Sequence, residues 1–497
     1  MPDGANESRK RATGHTFRAL VAAGGALALA LSPLSVHAQQ PFDLVIANGR
    51  VMDPESGLDA IRNVGIRAGV IEAVTASALD GVEVVDAGGL VVAPGFINLH
   101  WHGTDPHSNY YEAMDGVTST FELEIGVADV DKWYDERAGR MPINYGAAIG
   151  HAPTRMAVMK DPGEFLPAGD AARKPATDAE LAEIELRVER GLKRGAVGVG
   201  FGLAYTPAAS TWEITQMFRT AARYDAAAFV HLRGASSAGS TDREQGLMEV
   251  IALSAVTGTP VHVAHINSSG QTNAARMLAI MQDARSHGVD ITTECYPYTA
   301  GATRIESFLF DTWTDKPEEE YHKLQWSATG ERLTRETFLK YRKQGGLVLI
   351  HANTEDVIRT AVAHPLTMIA SDGFDVRHRQ GHPRSAGTYS RILGRYVREA
   401  GLISLMEGLR KMTLMPAQRL EARVPQMRGK GRVKAGADAD LVIFDPRRII
   451  DRATYEEPDV YAEGMRYVLV NGRFVVRDGA VLEGVTPGRP VRARISP

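Results

Sequence analysis

Apolar and polar positions along this chain follow two different rhythms. Between residues 92 and 424, short apolar runs of strand length alternate with stretches whose apolar residues recur at helical spacing. The runs at 95–100, 119–125, 144–150, 196–201, 228–231, 261–265, 290–295, 347–351 and 367–372 read as strands. Those at 178–194, 212–224, 245–256 and 273–287 carry the amphipathic pattern of helices laid on a sheet. Strand followed by helix is a parallel βαβ unit, and about eight in succession predict an α/β protein with a closed TIM-like (β/α)8 barrel.

Toward both ends the rhythm changes to a period of two. Residues 42–47 and 50–52, with Asn48-Gly49 between them, predict two strands joined by a hairpin turn, and 64–66, 70–74 and 82–85 continue the pattern. Residues 440–444, 467–470 and 473–476 alternate in the same way, with Asn471-Gly472 as another turn. The segments 39–91 and 425–497 are therefore expected to form one small composite β-sandwich around a catalytic barrel of 92–424. Within the barrel span, 308–345 is charged and lacks strand character, which predicts a helical insertion placed like a lid over the barrel face.

The first 38 residues stand apart. Arg9, Lys10, Arg11 and Arg18 precede an alanine-rich apolar run at 19–36, and Val36-His37-Ala38 ends in a small residue. This is the order of a secretory signal peptide. Gly24, Gly25 and Pro33 inside the run, and Gln39-Gln40 after it, favour cleavage near Ala38 over a membrane-spanning helix. A secreted or periplasmic protein without a stable membrane anchor is expected. Hydrophobic residues make up 44% and charged residues 23%, ordinary values for a globular chain. The net charge of −4 is dispersed without a basic block, which argues against nucleic acid as a partner. Cys295 is the only cysteine, so no intramolecular disulfide forms, and its position at a predicted strand end points to a buried thiol. Oligomeric state is left open.

Metal-competent residues end most of the predicted strands. His100 and His102 close the first, Glu122 and Glu124 the second, His231 and His265 two later ones, and Asp372 the last. A parallel barrel gathers its strand C-termini into one cup, so these distant residues are expected to meet there. Residues two apart on a strand point the same way, which lets His100 and His102 share an ion. Imidazole and carboxylate donors suit a divalent metal, with Zn²⁺ the first choice. Asp372 is expected to act as general base, taking a proton from the attacking water and passing it to the leaving nitrogen. A single histidine at a strand end is more often a hydrogen-bonded core residue. His107, His151, His262, His351, His364 and His378 are read in that way, with His265 chosen over His262 as nearer the strand end.

The segments VVAPGFINLHWHG, GVTSTFELEIG, FVHLRG, TPVHVAHINSSG, YPYTAGAT, IASDG and HPRSAGTYSRILGRYVRE together resemble the amidohydrolase superfamily, and within it the N-acyl-D-amino-acid deacylases, or D-aminoacylases. The resemblance implies a TIM barrel with a composite β-sandwich, one or two divalent ions, and a small-molecule substrate. It implies His100, His102, His231 and His265 as metal ligands and Asp372 as base. One departure concerns the ligand between the metals. Many such deacylases place a cysteine where this chain has Ile125, so Glu124 is expected to bridge instead, with Glu122 or a carboxylated Lys160 as alternatives. A family lysine is replaced by Asn267. For the substrate carboxylate, Tyr296 matches a family tyrosine. Arg377, Arg379 or Arg304 would supply charge, and Ser268 or Ser269 hydrogen bonds.

The expected reaction is hydrolysis of N-acyl-D-amino acids. Rival readings are a cyclic amidase of the dihydropyrimidinase or dihydroorotase type, a dipeptidase, and a non-catalytic scaffold relative.

Overall fold

Parallel strands packed on both faces are buried along nearly their whole length, and the strands of the barrel are. A computed structural model describes residues 40–234 and 243–496. The barrel strands are β1 (Phe96–Asn98), β2 (Val117–Val127), β3 (Asn144–Gly150), β4 (Gly198–Gly202), β5 (Ala227–His231), β6 (Val261–Val263), β7 (Ile291–Cys295) and β8 (Thr367–Ile369). They pair in parallel in chain order from β1 to β7, and β8 lies beside β7. The ring closes just beyond the last strand. There the His102 N–H donates to the Gly373 carbonyl at 2.8 Å, and the Ser371 N–H donates to Asn98 Oδ1 at 3.0 Å. A Cβ on Gly373 would sit 2.5 Å from the Trp101 ring, so a glycine there lets the seam close over the tryptophan.

Helices cover the outside as their caps and stripes dictate. Thr177 and Glu180 form a reciprocal capping box at the start of helix Asp178–Lys193, which buries Ile184, Val188 and Leu192. The Ser210 hydroxyl caps Thr211–Arg223 through the Glu213 N–H.

The run at 347–351 is not a barrel strand. Leu347–His351 pairs antiparallel with Ala300–Arg304 and with Leu324–Trp326 in a separate three-stranded sheet. Its burial gives the physical reason: Leu347, Ile350 and His351 are only half-buried, whereas β3, β4 and β5 are buried at every position. The insertion is correspondingly not all helix. Its helices Glu318–Tyr321 and Arg335–Gln344 pack with strand Leu324–Trp326 around a satellite core. That core includes Phe310, Trp313, Phe338 and a stacked Trp326–Tyr341 pair with centroids 4.3 Å apart.

Both chain ends contribute to one nine-stranded sheet, joined where Val91–Pro94 pairs antiparallel with Leu441–Phe444. The two Asn-Gly pairs behave differently. Asn471 and Gly472 have φ of 51° and 77° and turn the hairpin between Met465–Val470 and Arg473–Arg477. Asn48-Gly49 does not make a turn. Phe42–Asp53 runs through as one strand with a register shift there, Asn48 at φ 60° and its N–H held by Asn63 Oδ1 at 2.8 Å. A Cβ on Gly49 would lie 2.4 Å from Val92, so that strand lies tight on its neighbour. The expected signal segment lies outside the described residues. Among the described residues, no helix is long and apolar enough to cross a membrane.

Candidate metal centre at the barrel mouth

Three of the four histidines, His100, His102 and His265, are held by their Nδ1 atoms, which frees their Nε2 atoms to face inward, whereas His231 turns its Nδ1 to the centre. His100 Nδ1 meets Glu294 Oε1 at 2.5 Å, and His102 Nδ1 meets Glu122 Oε2 at 2.8 Å. A carboxylate on Nδ1 keeps the proton there and aims the Nε2 lone pair outward, the usual second partner of a metal-binding imidazole. The two Nε2 atoms accordingly point at one another, 3.0 Å apart. His265 follows the same rule with a hydroxyl, its Nδ1 lying 3.1 Å from Ser269 Oγ.

Glu124, from β2, stands among all four histidines. Its Oε1 is 2.6 Å from His231 Nδ1 and 3.0 Å from His265 Nε2. Its Oε2 is 3.3 Å from His100 Nε2 and 3.4 Å from His102 Nε2. One oxygen thus serves each pair of histidines, the arrangement a carboxylate needs to bridge two cations. Asp372 Oδ1 completes the cup at 3.4 Å from His100 Nε2 and 3.5 Å from His102 Nε2. His265 and Asp372 hold φ of 33° and 51°, a left-handed backbone uncommon for non-glycine residues and frequent at functional sites.

The charge balance points the same way. Glu122, Glu124, Glu294 and Asp372 are all buried here. Burial opposes charging His100, yet Asp372, Glu294 and Glu124 raise its pKa to about 10. Burial alone would raise Asp372, but Arg384 and His100 hold it below the ordinary carboxylate value. A low-dielectric cup with this much negative charge requires positive charge at its centre. Three groups of donors, His100–His102–Glu124, Glu124–His231–His265 and His100–His265–Asp372, each converge within 4.8 Å. The donor set fits one or two divalent ions.

The remaining expected site residues divide between the cup and the surface. Tyr296 and Ser268 line the cleft above the cup, with Asn353 Nδ2 3.4 Å from the Tyr296 hydroxyl. Glu122 reaches His102 Nδ1 and the Gly126 N–H, so it orients a ligand and does not stand between the histidine pairs. Lys160 is exposed at the end of helix His151–Met159, away from the cup. The arginines expected to supply charge lie elsewhere. Arg377 pairs with Asp105, Arg379 with Glu457 and Arg304 with Glu306, and none of the three lines the cleft. His262 is a buried orienting group, 2.8 Å from Thr292 and 3.2 Å from Glu294. Asn267 is fully buried and donates to the Tyr296 carbonyl at 3.1 Å. Cys295 is buried, and burial pushes its thiol up to about 12, which keeps it an unreactive thiol.

Two residues were missed from sequence. Glu294 is an acid inside an otherwise uncharged strand, a signal that was available in Ile-Thr-Thr-Glu-Cys. Arg384, in the His-Pro-Arg segment, is 0% exposed, with Nη1 2.8 Å from Asp372 Oδ2 and its guanidinium 4.6 Å from the centre of the Tyr296 ring. Its Nε and Nη2 atoms have no hydrogen-bond partner among the described residues. Fully buried arginine is rare, and donors left unused beside a cleft mark a place for an anion.

An amidohydrolase family profile matches residues 83–476. An N-acyl-D-glutamate deacylase from Alcaligenes xylosoxydans xylosoxydans is 31% identical over 87% of this chain and 93% of its own length. A D-aminoacylase from the same organism is 29% identical over 90% of this chain and 97% of its own. The crystal structure of an N-acyl-D-glutamate deacylase from Bordetella bronchiseptica, complexed with zinc and a phosphonate inhibitor, superposes with a TM-score of 0.78. It is 27% identical and covers 91% of this chain and all of its own.

Proposed function

Because this chain belongs to the amidohydrolase family and is a hydrolase of carbon–nitrogen amide bonds, we propose that it cleaves N-acyl-D-amino acids to a carboxylate and a free D-amino acid, using zinc. One observation carries the substrate class. The buried Arg384, with Nε and Nη2 unused, does not itself line the cleft but stacks on Tyr296 and pairs with Asp372, which do. A substrate with a free α-carboxylate would supply a second anion to this guanidinium, whose Nη1 already faces Asp372. The D configuration rests on the relatives named above.

His100, His102, Glu124, His231 and His265 would hold a divalent cation, which would lower the pKa of water and polarise the amide carbonyl. The protein's own groups do the rest. Asp372 accepts the water proton on Oδ1, the oxygen facing His100 and His102, while Arg384 holds Oδ2. Asp372 then delivers that proton to the leaving nitrogen. Glu294 and Glu122 keep the two histidines in register, and Tyr296 with Ser268 orients the carboxylate end of the substrate.

The test is a panel of N-acetyl D- and L-amino acids with their carboxamides, assayed on zinc-loaded protein for release of free amine. D-amino acids should be released. The carboxamides should lose on the order of 100-fold in kcat/KM, because they offer no charge to the Arg384 donors that Asp372 leaves unused. Equal turnover of acids and carboxamides would remove the role of Arg384. Hydrolysis of hydantoins with no amino acid released would move the enzyme to the cyclic amidases.

The segment 1–38 supports export, and the mature protein should begin at Gln39. N-terminal sequencing of protein recovered outside the cytoplasm checks this, and a retained Met1 overturns it.

A further inference from the structure

We infer that the barrel carries a second ligand site at the end opposite the metal cup, which takes a tetrahedral dianion of the sulfate or phosphate type, with Arg419 as its main donor. A cavity with about 1020 Å³ of open space lies against the N-terminal ends of five consecutive strands. Val197 before β4, Ala227 in β5, Pro260 before β6, Thr292 in β7 and Met368 in β8 all line it, and helix Leu414–Leu420 contributes Arg419. None of the residues around this cavity lines the cleft over the metal centre. His231 lies beyond Ala227 along β5, about 13 Å away at the rise of a strand.

The wall is rich in guanidinium groups. Arg285, Arg410, Arg419 and Arg423 line it, against the aspartates Asp225 and Asp290. Arg410 is matched by Glu407 at 2.8 Å. Arg285 donates to the Ile291 carbonyl, and Arg423 to the carbonyls of Leu192, Ala196 and Tyr224. Neither forms an ion pair among the described residues, and Asp225 is exposed. Two positive charges without a paired carboxylate suit a dianion. The side chain of Arg419 is only 4% exposed, and its Nη1 reaches Asp290 Oδ1 at 2.6 Å. Asp290 is 58% exposed, so water screens much of that partner's charge. Arg419 Nε and Nη2 have no hydrogen-bond partner among the described residues. Those two nitrogens form one edge of the guanidinium, the fork that grips two oxygens of an oxyanion in parallel. Burial holds the Arg419 guanidinium below its ordinary value and pulls that of Arg423 down to about 10. An anion beside them offsets that burial and supplies the missing acceptors.

Calorimetric titration of the zinc-loaded enzyme with sulfate, at an ionic strength held constant with chloride, tests the site. Sulfate should bind with a Kd on the order of 1 mM. Arg419→Met should weaken it about tenfold or more by removing the fork. Arg285→Glu, at an exposed position where folding is not at stake, should weaken it about tenfold by reversing a nearby charge. In sulfate-free buffer both variants should keep kcat/KM within about twofold of wild type, since neither side chain touches the cup. Sulfate should not compete with substrate in the wild-type enzyme. Glycerol phosphate bound about tenfold more tightly than sulfate would identify the ligand as the head group of an ester, and binding no tighter would identify it as the free ion. Absence of saturable binding, binding unchanged in both variants, or sulfate acting only as a competitor of the substrate overturns the inference.

Discussion

Asp372→Asn is expected to lower kcat by roughly 10³-fold while the protein keeps its metal. The amide cannot accept a proton at the oxygen facing His100 and His102, so the water is not activated and the leaving nitrogen is not protonated. A loss of that size corresponds to about 4 kcal/mol of transition-state stabilisation. The metal stays because the four histidines and Glu124 are untouched, and two of the three convergent donor groups do not include Asp372. The change also removes the charge that Arg384 faces, so a thermal melt must accompany the kinetics. Steady-state rates with metal content by atomic absorption give the answer. A variant within tenfold of wild type would mean that another group carries the proton.

Glu124→Gln is expected to cost at least one equivalent of metal, with affinity falling on the order of 100-fold or more. Glu124 is the carboxylate in reach of both histidine pairs, and an amide offers one neutral oxygen where two charged ones stood. It also leaves His100 and His102 without a counter-charge on their Nε2 side except Asp372. Two substitutions set the scale. Glu122→Gln alters the support of His102 and the bond from the Gly126 N–H without touching the space between the histidine pairs, and should cost about tenfold, and Lys160→Ala should cost nothing. Unchanged metal content in Glu124→Gln, with loss in Glu122→Gln, would move the bridge to Glu122.

Much of the fold was legible because it is written in short-range periodicity. Strands buried on both faces need largely apolar runs, and the helices over them need an apolar stripe, so all eight barrel strands and their order along the chain follow from pattern. The same signal failed at Leu347–His351, because an apolar run of five residues suits a half-covered antiparallel strand equally well. It failed at Asn48-Gly49 for a related reason: a left-handed Asn followed by Gly makes a hairpin turn or a bulge, and contacts with Asn63 and Val92 select the bulge.

The ligands were legible as residue types at strand ends; the partners that hold them were not. His100 and Glu294 touch although 194 positions separate them, and Arg384 meets Asp372 only through the loop that follows the last strand. Arg377 looked suitable for the substrate carboxylate until its exposed position and its partner Asp105 were known.

By itself, then, the sequence determined the barrel, the composite end sheet and the strand ends that carry metal-binding chemistry, because these depend on local spacing and hydrophobicity. Tertiary structure alone decided which carboxylate oxygen meets which imidazole nitrogen, and which arginine is buried behind the cleft. The physical reason is that hydrogen bonds and coordination act over about 3 Å, and only closure of the barrel brings groups far apart in sequence to that distance.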